Sequence, residues 1–241
     1  MLEIKNLNKK YNNKEVLSNI NLSFGPGEIV GIFGENGAGK TTLMKSILNY
    51  VKFEGEITVD GKIIANDEIK KISFATSEHS FFPNLTPKAH AEFYKDYFSE
   101  FSYKRFKTLM DFFGLPYDKK LKTFSMGQKN QFEVIMALSQ GAEYILMDEP
   151  FTGNDIFNRE DFYKVLVGIL EENETIIIST HLIEEVQNYI SRAVFINDGK
   201  IIGDIDTEKI EINLVDYIKS IYDYNSDKVV KAVENITGEE R

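Results

Sequence analysis

A chain of 241 residues is long enough for one large domain or for a core with a sizeable insertion. With 28 Lys and Arg against 38 Asp and Glu its formal charge is −10, which disfavours general nucleic-acid binding, since that needs basic surface to displace counterions. Cysteine is absent, excluding disulfides and thiolate metal sites, and neither a signal-peptide run at MLEIKNLNKKY nor a stretch near the ~20 apolar residues of a membrane span is present. The expectation is a cytoplasmic protein that reaches a membrane only through a partner. Residues 2–24 alternate apolar and polar positions in two strands, LEIKNLNKKY and EVLSNINLSF, broken at Asn12-Asn13-Lys14. Gly25-Pro26-Gly27-Glu28 predicts a turn into EIVGIF, an apolar run that reads as a buried strand.

That run ends in GENGAGKT, with the spacing G-x-x-x-x-G-K-T from Gly34 to Thr41, and TLMKSIL follows with apolar residues at helical spacing. Strand, glycine loop and helix in this order are the context a phosphate-binding P-loop requires. Gly34, Gly37 and Gly39 let the backbone turn so that N–H groups converge on an anion, with Glu35, Asn36 and Ala38 filling the loop. The helix start at Lys40, Thr41 and Thr42 adds partial positive charge, and Lys40 adds a full one for the β- and γ-phosphates. Thr41 offers a hydroxyl to Mg²⁺. The order GxxGxG, rather than GxGxxG, disfavours a dinucleotide fold.

Beyond the loop, EGEITVDGKII predicts a hairpin turned at Asp60-Gly61, and IKKISFAT a further strand. From Thr86 to Gln131 the chain reads largely helical and is locally basic, with nine Lys and Arg against five Asp and Glu. Phe93, Tyr94, Tyr97, Phe98 and Phe101 recur there at helical spacing, and most of the ten rings between Phe93 and Tyr117 are expected to form the core of a helical insertion. Part of this surface, with the Phe81-Phe82-Pro83 corner, is also a candidate groove for a helix of a membrane-embedded partner. Strand character returns at EYILMDEP, ETIIISTH and RAVFINDGKII, and the alternation of strand and helix predicts an α/β core with a mainly parallel sheet. A short helix, LVDYIKSIYDY, leads into a polar tail. Beside a P-loop, the acids closing YILMDE have defined uses: Asp148 to help hold Mg²⁺, Glu149 to polarise an attacking water.

Phe124-Ser125-Met126-Gly127-Gln128 stands shortly before Asp148 and resembles the LSGGQ signature of ATP-binding-cassette (ABC) proteins. Ser125 and the backbone N–H groups around Gly127 open a helix, which makes a second anion site. In that family the site meets the γ-phosphate held by the opposing subunit, so that ATP is sandwiched between two chains, and Ser125, Gly127 and Gln128 inherit this role from the resemblance. Tyr11 corresponds to the ring that stacks on adenine, His181 in IIISTH to the histidine that senses the γ-phosphate, and Asp155 in PFTGND to the loop aspartate that crosses the dimer interface. The resemblance covers roughly residues 1–205. It implies a P-loop NTPase (RecA-like) core with an N-terminal antiparallel β subdomain and an inserted α-helical subdomain. Residues 1–85 and 141–204 are the expected halves of the ATP-binding core, 86–140 the helical subdomain, and 205–241 a C-terminal helix and tail. The implied function is the MgATP-hydrolysing subunit of an ABC transporter, held at the inner face of the cell membrane by a membrane-spanning permease. It would pair with itself or with a second ATP-binding subunit.

The sequence departs from the family where a glutamine usually contacts Mg²⁺ and reports to the membrane partner. No glutamine occurs before Gln128; Ser77 takes that position and Glu78 follows it, so either they assume metal or coupling contacts, or coupling is carried elsewhere. Met126 stands where glycine is common and Asn154 where leucine is common, both at the expected dimer seam. The compact size and the FSMGQ signature resemble exporters more than importers. The alternative reading is a soluble ABC ATPase that serves as an assembly or regulatory module without transport.

Overall fold

The computed structural model of the chain describes residues 1–65, 67–150, 156–210 and 213–221. In chain order the elements are β1 (Leu2–Tyr11), β2 (Lys14–Phe24), β3 (Ile29–Phe33), α1 (Lys40–Ile47), β4 (Glu54–Val59), β5 (Lys62–Ile63), β6 (Ile72–Thr76), α2 (Pro87–Tyr97), α3 (Tyr103–Phe112) and α4 (Met126–Ser139). After them come β7 (Tyr144–Asp148), α5 (Ile156–Ile169), β8 (Thr175–Thr180), α6 (Ile183–Val186), β9 (Arg192–Asn197), β10 (Lys200–Asp206) and α7 (Leu214–Ile221). Among the described residues two sheets form: an antiparallel one in the order β2-β1-β4-β5, and a larger one in the order β10-β9-β3-β8-β7-β6. In the larger sheet every pairing is parallel except that of β10 with β9.

The pattern of apolar residues explains this layering. Strands β3, β7 and β8 are buried along their whole length, as parallel strands covered on both faces must be. Side chains alternate between two cores. Val30, Ile32, Leu146, Ile177 and Val194 face the antiparallel sheet and α1, joining Leu2, Ile4, Leu43 and Ile47. Ile29, Phe33, Ile145, Met147, Ile178 and Phe195 face the opposite side, with Phe132, Phe162 and Leu166. Each fully buried side chain of this kind contributes about 1.5–3 kcal/mol, so the central sheet is strongly held between its two cores.

The helical segment between β6 and β7 is tied to this platform. Each of its helices starts on a hydroxyl cap: Thr86 accepts from Ala89 N, Ser102 from Arg105 N, and Ser125 from Gln128 N. Arg105, on α3, donates to the Leu138 carbonyl at the end of α4 and to both carboxylate oxygens of Glu174, just before β8. Phe106, Leu109, Met110, Phe124 and Phe132 fill the interior of the segment. The aromatic run on α2 behaves differently from the expectation: Phe93 and Tyr97 are exposed, while Tyr94 and Phe98 are half-buried. The rings of α2 lie against one another at tilted angles, with Phe93 and Tyr97 centred 4.5 Å apart, and border an open groove. Among the described residues no helix is long and apolar enough to cross a membrane.

Candidate functional site

Parallel strands in register end side by side, so residues at their C-terminal ends form a single layer. Thr76 of β6 pairs with Asp148 of β7, Asp148 pairs with Ser179 of β8, and Thr180 of β8 pairs with Phe33 of β3. The glycine loop leaves β3 at this edge. Gly34 passes so close to β9 that an added Cβ would lie 2.3 Å from the Ile196 carbonyl oxygen, and Gly39 has φ +113°, a left-handed value that a side chain would oppose. With both positions restricted to glycine, the loop turns tightly into α1.

Lys40, at the first turn of α1, is 6 % exposed, and its ammonium donates to the carbonyls of Gly34 at 2.8 Å and Glu35 at 3.3 Å. Thr41 Oγ1 donates to Asp148 Oδ2 at 2.7 Å. The other Asp148 oxygen accepts from Ser179 Oγ, and the carboxylate is almost fully buried. Glu149 follows with φ +48°, a strained value for a residue other than glycine, and its N–H donates to the Ser179 carbonyl at 3.0 Å. That turn aims its carboxylate back across the strand ends. It lies 3.7 Å from the Lys40 ammonium and 3.0 Å from His181 Nδ1, and Thr180 Oγ1 donates to it at 3.4 Å. The imidazole is half-exposed at the rim of the site.

A buried hydroxyl–carboxylate pair suits a hard cation that takes oxygen ligands, and Mg²⁺ in particular retains water and substrate phosphates as its other ligands. Among the described residues no group of three or more His, Cys, Asp or Glu side chains is placed to hold a metal ion.

The structure brings together Gly34, Glu35, Lys40, Thr41, Asp148, Glu149 and His181. Asn36, Gly37, Ala38 and Thr42 complete the loop and the first turn of α1. Tyr11 ends β1 with its ring 43 % exposed and the Lys9 ammonium 4.3 Å from its centroid, so the ring is presented at the surface. Ser125 opens α4 in a reciprocal cap: its Oγ accepts from Gln128 N at 3.2 Å, and Gln128 Oε1 accepts from Ser125 N at 3.0 Å. Met126 beside it is 60 % exposed, and Gly127 lies in the same first turn. Ser77 borders the same crevice as Glu149 and Pro150. Glu78 turns instead to α1, where the Lys45 ammonium donates to both of its oxygens at 2.8 and 3.0 Å. Asp155 and Asn154 lie outside the described residues.

Three residues that sequence reasoning passed over belong to the neighbourhood. Ser179 orients Asp148, and its signal was the hydroxyl pair preceding His181 in IIISTH. Glu133 is the one acid among the buried positions of α4, within the apolar run FEVIMAL, and burial pushes its carboxyl up to about 7 although Ser80 bonds to it. Asn130, one turn earlier, pairs with His79 Nε2 at 2.7 Å.

Comparison with known proteins bears on this geometry. Residues 17–152 match the ABC transporter family. The ABC transporter ATP-binding protein YtrB of Bacillus subtilis is 27 % identical over 231 residues, covering 94 % of this chain and 78 % of that protein. The lipopolysaccharide export system ATP-binding protein LptB of Haemophilus influenzae is 29 % identical over 222 residues, covering 87 % of this chain and 92 % of that protein. The ribose import ATP-binding protein RbsA of Clostridium perfringens is 30 % identical, covering 87 % of this chain and 46 % of that protein. Among solved structures, a dimeric ATP-binding cassette in a post-hydrolysis state, bound to ADP and Pi, superposes with a TM-score of 0.76 at 25 % identity. It covers 87 % of this chain and all of its own.

Proposed function

The chain belongs to the ABC transporter family as an ATP-binding subunit, and from that premise we propose that it dimerises around two MgATP and drives a separate membrane-spanning permease. The observation that carries this reading is the convergence of Lys40, Thr41, Asp148, Glu149 and His181 on the edge of one sheet. Lys40, with the N–H groups of residues 34–39, holds the β- and γ-phosphates, and the N-terminus of α1 adds its partial positive charge. Thr41 and Asp148 would hold Mg²⁺, with Ser77 bordering the crevice beside Glu149. When bound, the metal neutralises charge on the transferring phosphoryl group.

Glu149 accepts the proton of the attacking water, and His181, hydrogen-bonded to Glu149, sits where it can feel the γ-phosphate. Tyr11 offers its exposed ring to adenine, a contact of roughly 1–3 kcal/mol by analogy with base stacking. The Ser125, Gly127 and Gln128 turn at the start of α4 is the second anion site, lent to the opposing protomer together with Asp155. A groove of about 450 Å³ lined by Tyr50, Phe74, Phe81, Phe82, Phe93 and Tyr97 would take an amphipathic helix of the permease. We propose export as the direction, on the compact chain and the FSMGQ signature; the relatives include an export-system protein, LptB, and an import protein, RbsA, and do not choose between the two.

Two measurements test the core of the reading. Purified protein should hydrolyse ATP with Mg²⁺ and cease with a chelator. The Glu149→Gln variant should lose steady-state turnover while forming dimers with ATP in solution scattering. Monomers at every ATP concentration would remove the composite site. Co-purification with a membrane subunit, lost in a Phe81→Ala, Phe82→Ala variant, tests the groove. Recovery of the active protein without any membrane partner would favour an assembly or regulatory module instead.

A further inference from the structure

Glu133 occupies a position where an apolar side chain would cost less. It is 4 % exposed, midway along α4, among Phe132, Val134, Ile135 and Met136. A carboxyl in such a place is tolerated only with hydrogen-bond partners. Ser80 provides two, its N–H donating to Glu133 Oε1 at 2.9 Å and its hydroxyl to the same oxygen at 2.5 Å. The neighbouring His79 is fixed to the same helix through Asn130, and it holds φ +57°, a conformation that needs support from its surroundings. Residues 79–80 are therefore fastened to α4, the helix that begins at Ser125.

The fastened segment has a site at each end. Toward the N-terminus it runs through Ser77 to Thr76, whose strand position pairs with Asp148. Toward the C-terminus Ser80, Phe81 and Phe82 line the aromatic groove. Glu133 itself borders the narrow crevice shared by Thr76, Ser77, Asn130, Glu149 and Pro150. One carboxyl thus touches the loop that lines the groove and the wall behind the proposed base.

We propose that Glu133 is a positioning residue for ATP hydrolysis, holding the 77–80 loop through Ser80 so that the wall beside Glu149 keeps its shape. This rests on the hydrolytic reading given above. In this chain, which has no glutamine at the loop, the two bonds from Ser80 and the His79–Asn130 bond join the loop to the signature helix. The contacts of Lys40 with Gly34 and Glu35 lie on α1 and its loop and do not involve Glu133. Loosening the 77–80 loop therefore disturbs the placement of the reacting groups more than it disturbs nucleotide binding.

The test is steady-state MgATP turnover of the whole chain, with kcat and KM measured separately for Glu133→Ala, Glu133→Gln and Ser80→Ala. Because misplacement of reacting groups acts on the chemical step, Glu133→Ala should lower kcat about tenfold and leave KM for ATP within about twofold. Gln retains an oxygen acceptor for both Ser80 donors, so Glu133→Gln should restore kcat to within about twofold of the unaltered chain. Ser80→Ala keeps the backbone bonds of Ser80 and Thr76 to Glu133 and should fall between, about threefold down. Thermal unfolding accompanies each variant; if Glu133→Ala does not fold, Ser80→Ala decides the matter by the same split. Unchanged kcat in the folded variants, a loss expressed in KM alone, or Glu133→Gln as impaired as Glu133→Ala would overturn the proposal. If the unaltered chain does not hydrolyse MgATP, the hydrolytic reading itself fails, whereas normal turnover in all variants removes only the role of Glu133.

Discussion

Replacing Arg105 by Met should unfasten the helical segment from the sheet, and the structure sets the size of the effect. The guanidinium donates at 2.5 and 3.1 Å to the two oxygens of Glu174 and at 2.9 Å to each of the Leu138 and Ile169 carbonyls. Its side chain is 12 % exposed and that of Glu174 only 7 %, so water cannot substitute for the lost donors. The contact with Glu171, 68 % exposed, contributes little. Removing one member of a buried pair costs about 3–5 kcal/mol, because the remaining charge is left without its partner. For a chain of this size that corresponds to a fall in Tm of about 6–20 °C. The Arg105→Met, Glu174→Met double variant removes the stranded carboxylate and should destabilise by less than the sum of the two single variants, although the Leu138 and Ile169 carbonyls and the Glu171 N–H each lose a partner at about 1–3 kcal/mol. Urea unfolding of the four proteins of the cycle gives the coupling energy directly, expected to exceed about 1.5 kcal/mol. Effects that add within about 0.5 kcal/mol, or a single-variant loss below about 1 kcal/mol, would refute the staple.

Glu149 has φ +48°, so Glu149→Gly should be more stable than Glu149→Ala by about 1 kcal/mol, the reverse of the usual order; equal or higher Tm for the Ala variant would show that no strain is held there. Burial raises the Glu133 carboxyl from 4.5 to about 7, so the folded state binds that proton more tightly than the unfolded chain does. The associated stability is complete below about pH 4.5 and falls away as pH rises through about 7, by about 3 kcal/mol in all. Glu133→Gln should therefore gain stability relative to the unaltered chain across that window, and a constant difference in unfolding free energy from pH 5 to pH 8 would contradict the assignment. Ser125→Ala removes the reciprocal cap of α4 and should cost about 1 kcal/mol, read as a Tm lower by about 2–4 °C. Ser125→Asn, which retains a capping oxygen, should recover most of that stability, and failure to do so would mean that the cap contributes nothing.

What could be read from the sequence was whatever depends on neighbours along the chain. The loop from Gly34 to Thr41, the acids after YILM, the hairpin at Asp60-Gly61 and the cap at Ser125 each have a local signature, and the mainly parallel sheet follows from alternating apolar runs and helices. What could not be read depends on which elements meet in space. Glu78 follows a strand end, yet its partner is Lys45 on α1, thirty-three positions away in sequence. The α2 rings have the spacing of a core stripe, but whether a stripe is covered depends on the element laid over it, and here Phe93 and Tyr97 stay exposed. Glu133 stands within the apolar run FEVIMAL, and its partner Ser80 lies fifty-three positions away in sequence.

The placement of Asp148 and Glu149 gives adjacent residues of like charge different surroundings, which suit the different tasks proposed for them. Both follow one apolar strand, and an undistorted strand would send their side chains to opposite faces. Asp148 keeps strand geometry and meets Thr41 and Ser179, two hydroxyls that accept the role of donors and hold it inside the layer. Glu149 leaves that geometry through its left-handed turn, which the Ser179 carbonyl secures, and its carboxylate comes round to Lys40 and His181. The strand thereby separates the acid proposed to hold a cation from the acid proposed to take a proton from water. Ser179 joins the two, its hydroxyl bonded to the first acid and its carbonyl to the N–H of the second. The division of labour rests on the register of β7 with β8, since a slip of one residue would take Ser179 away from both.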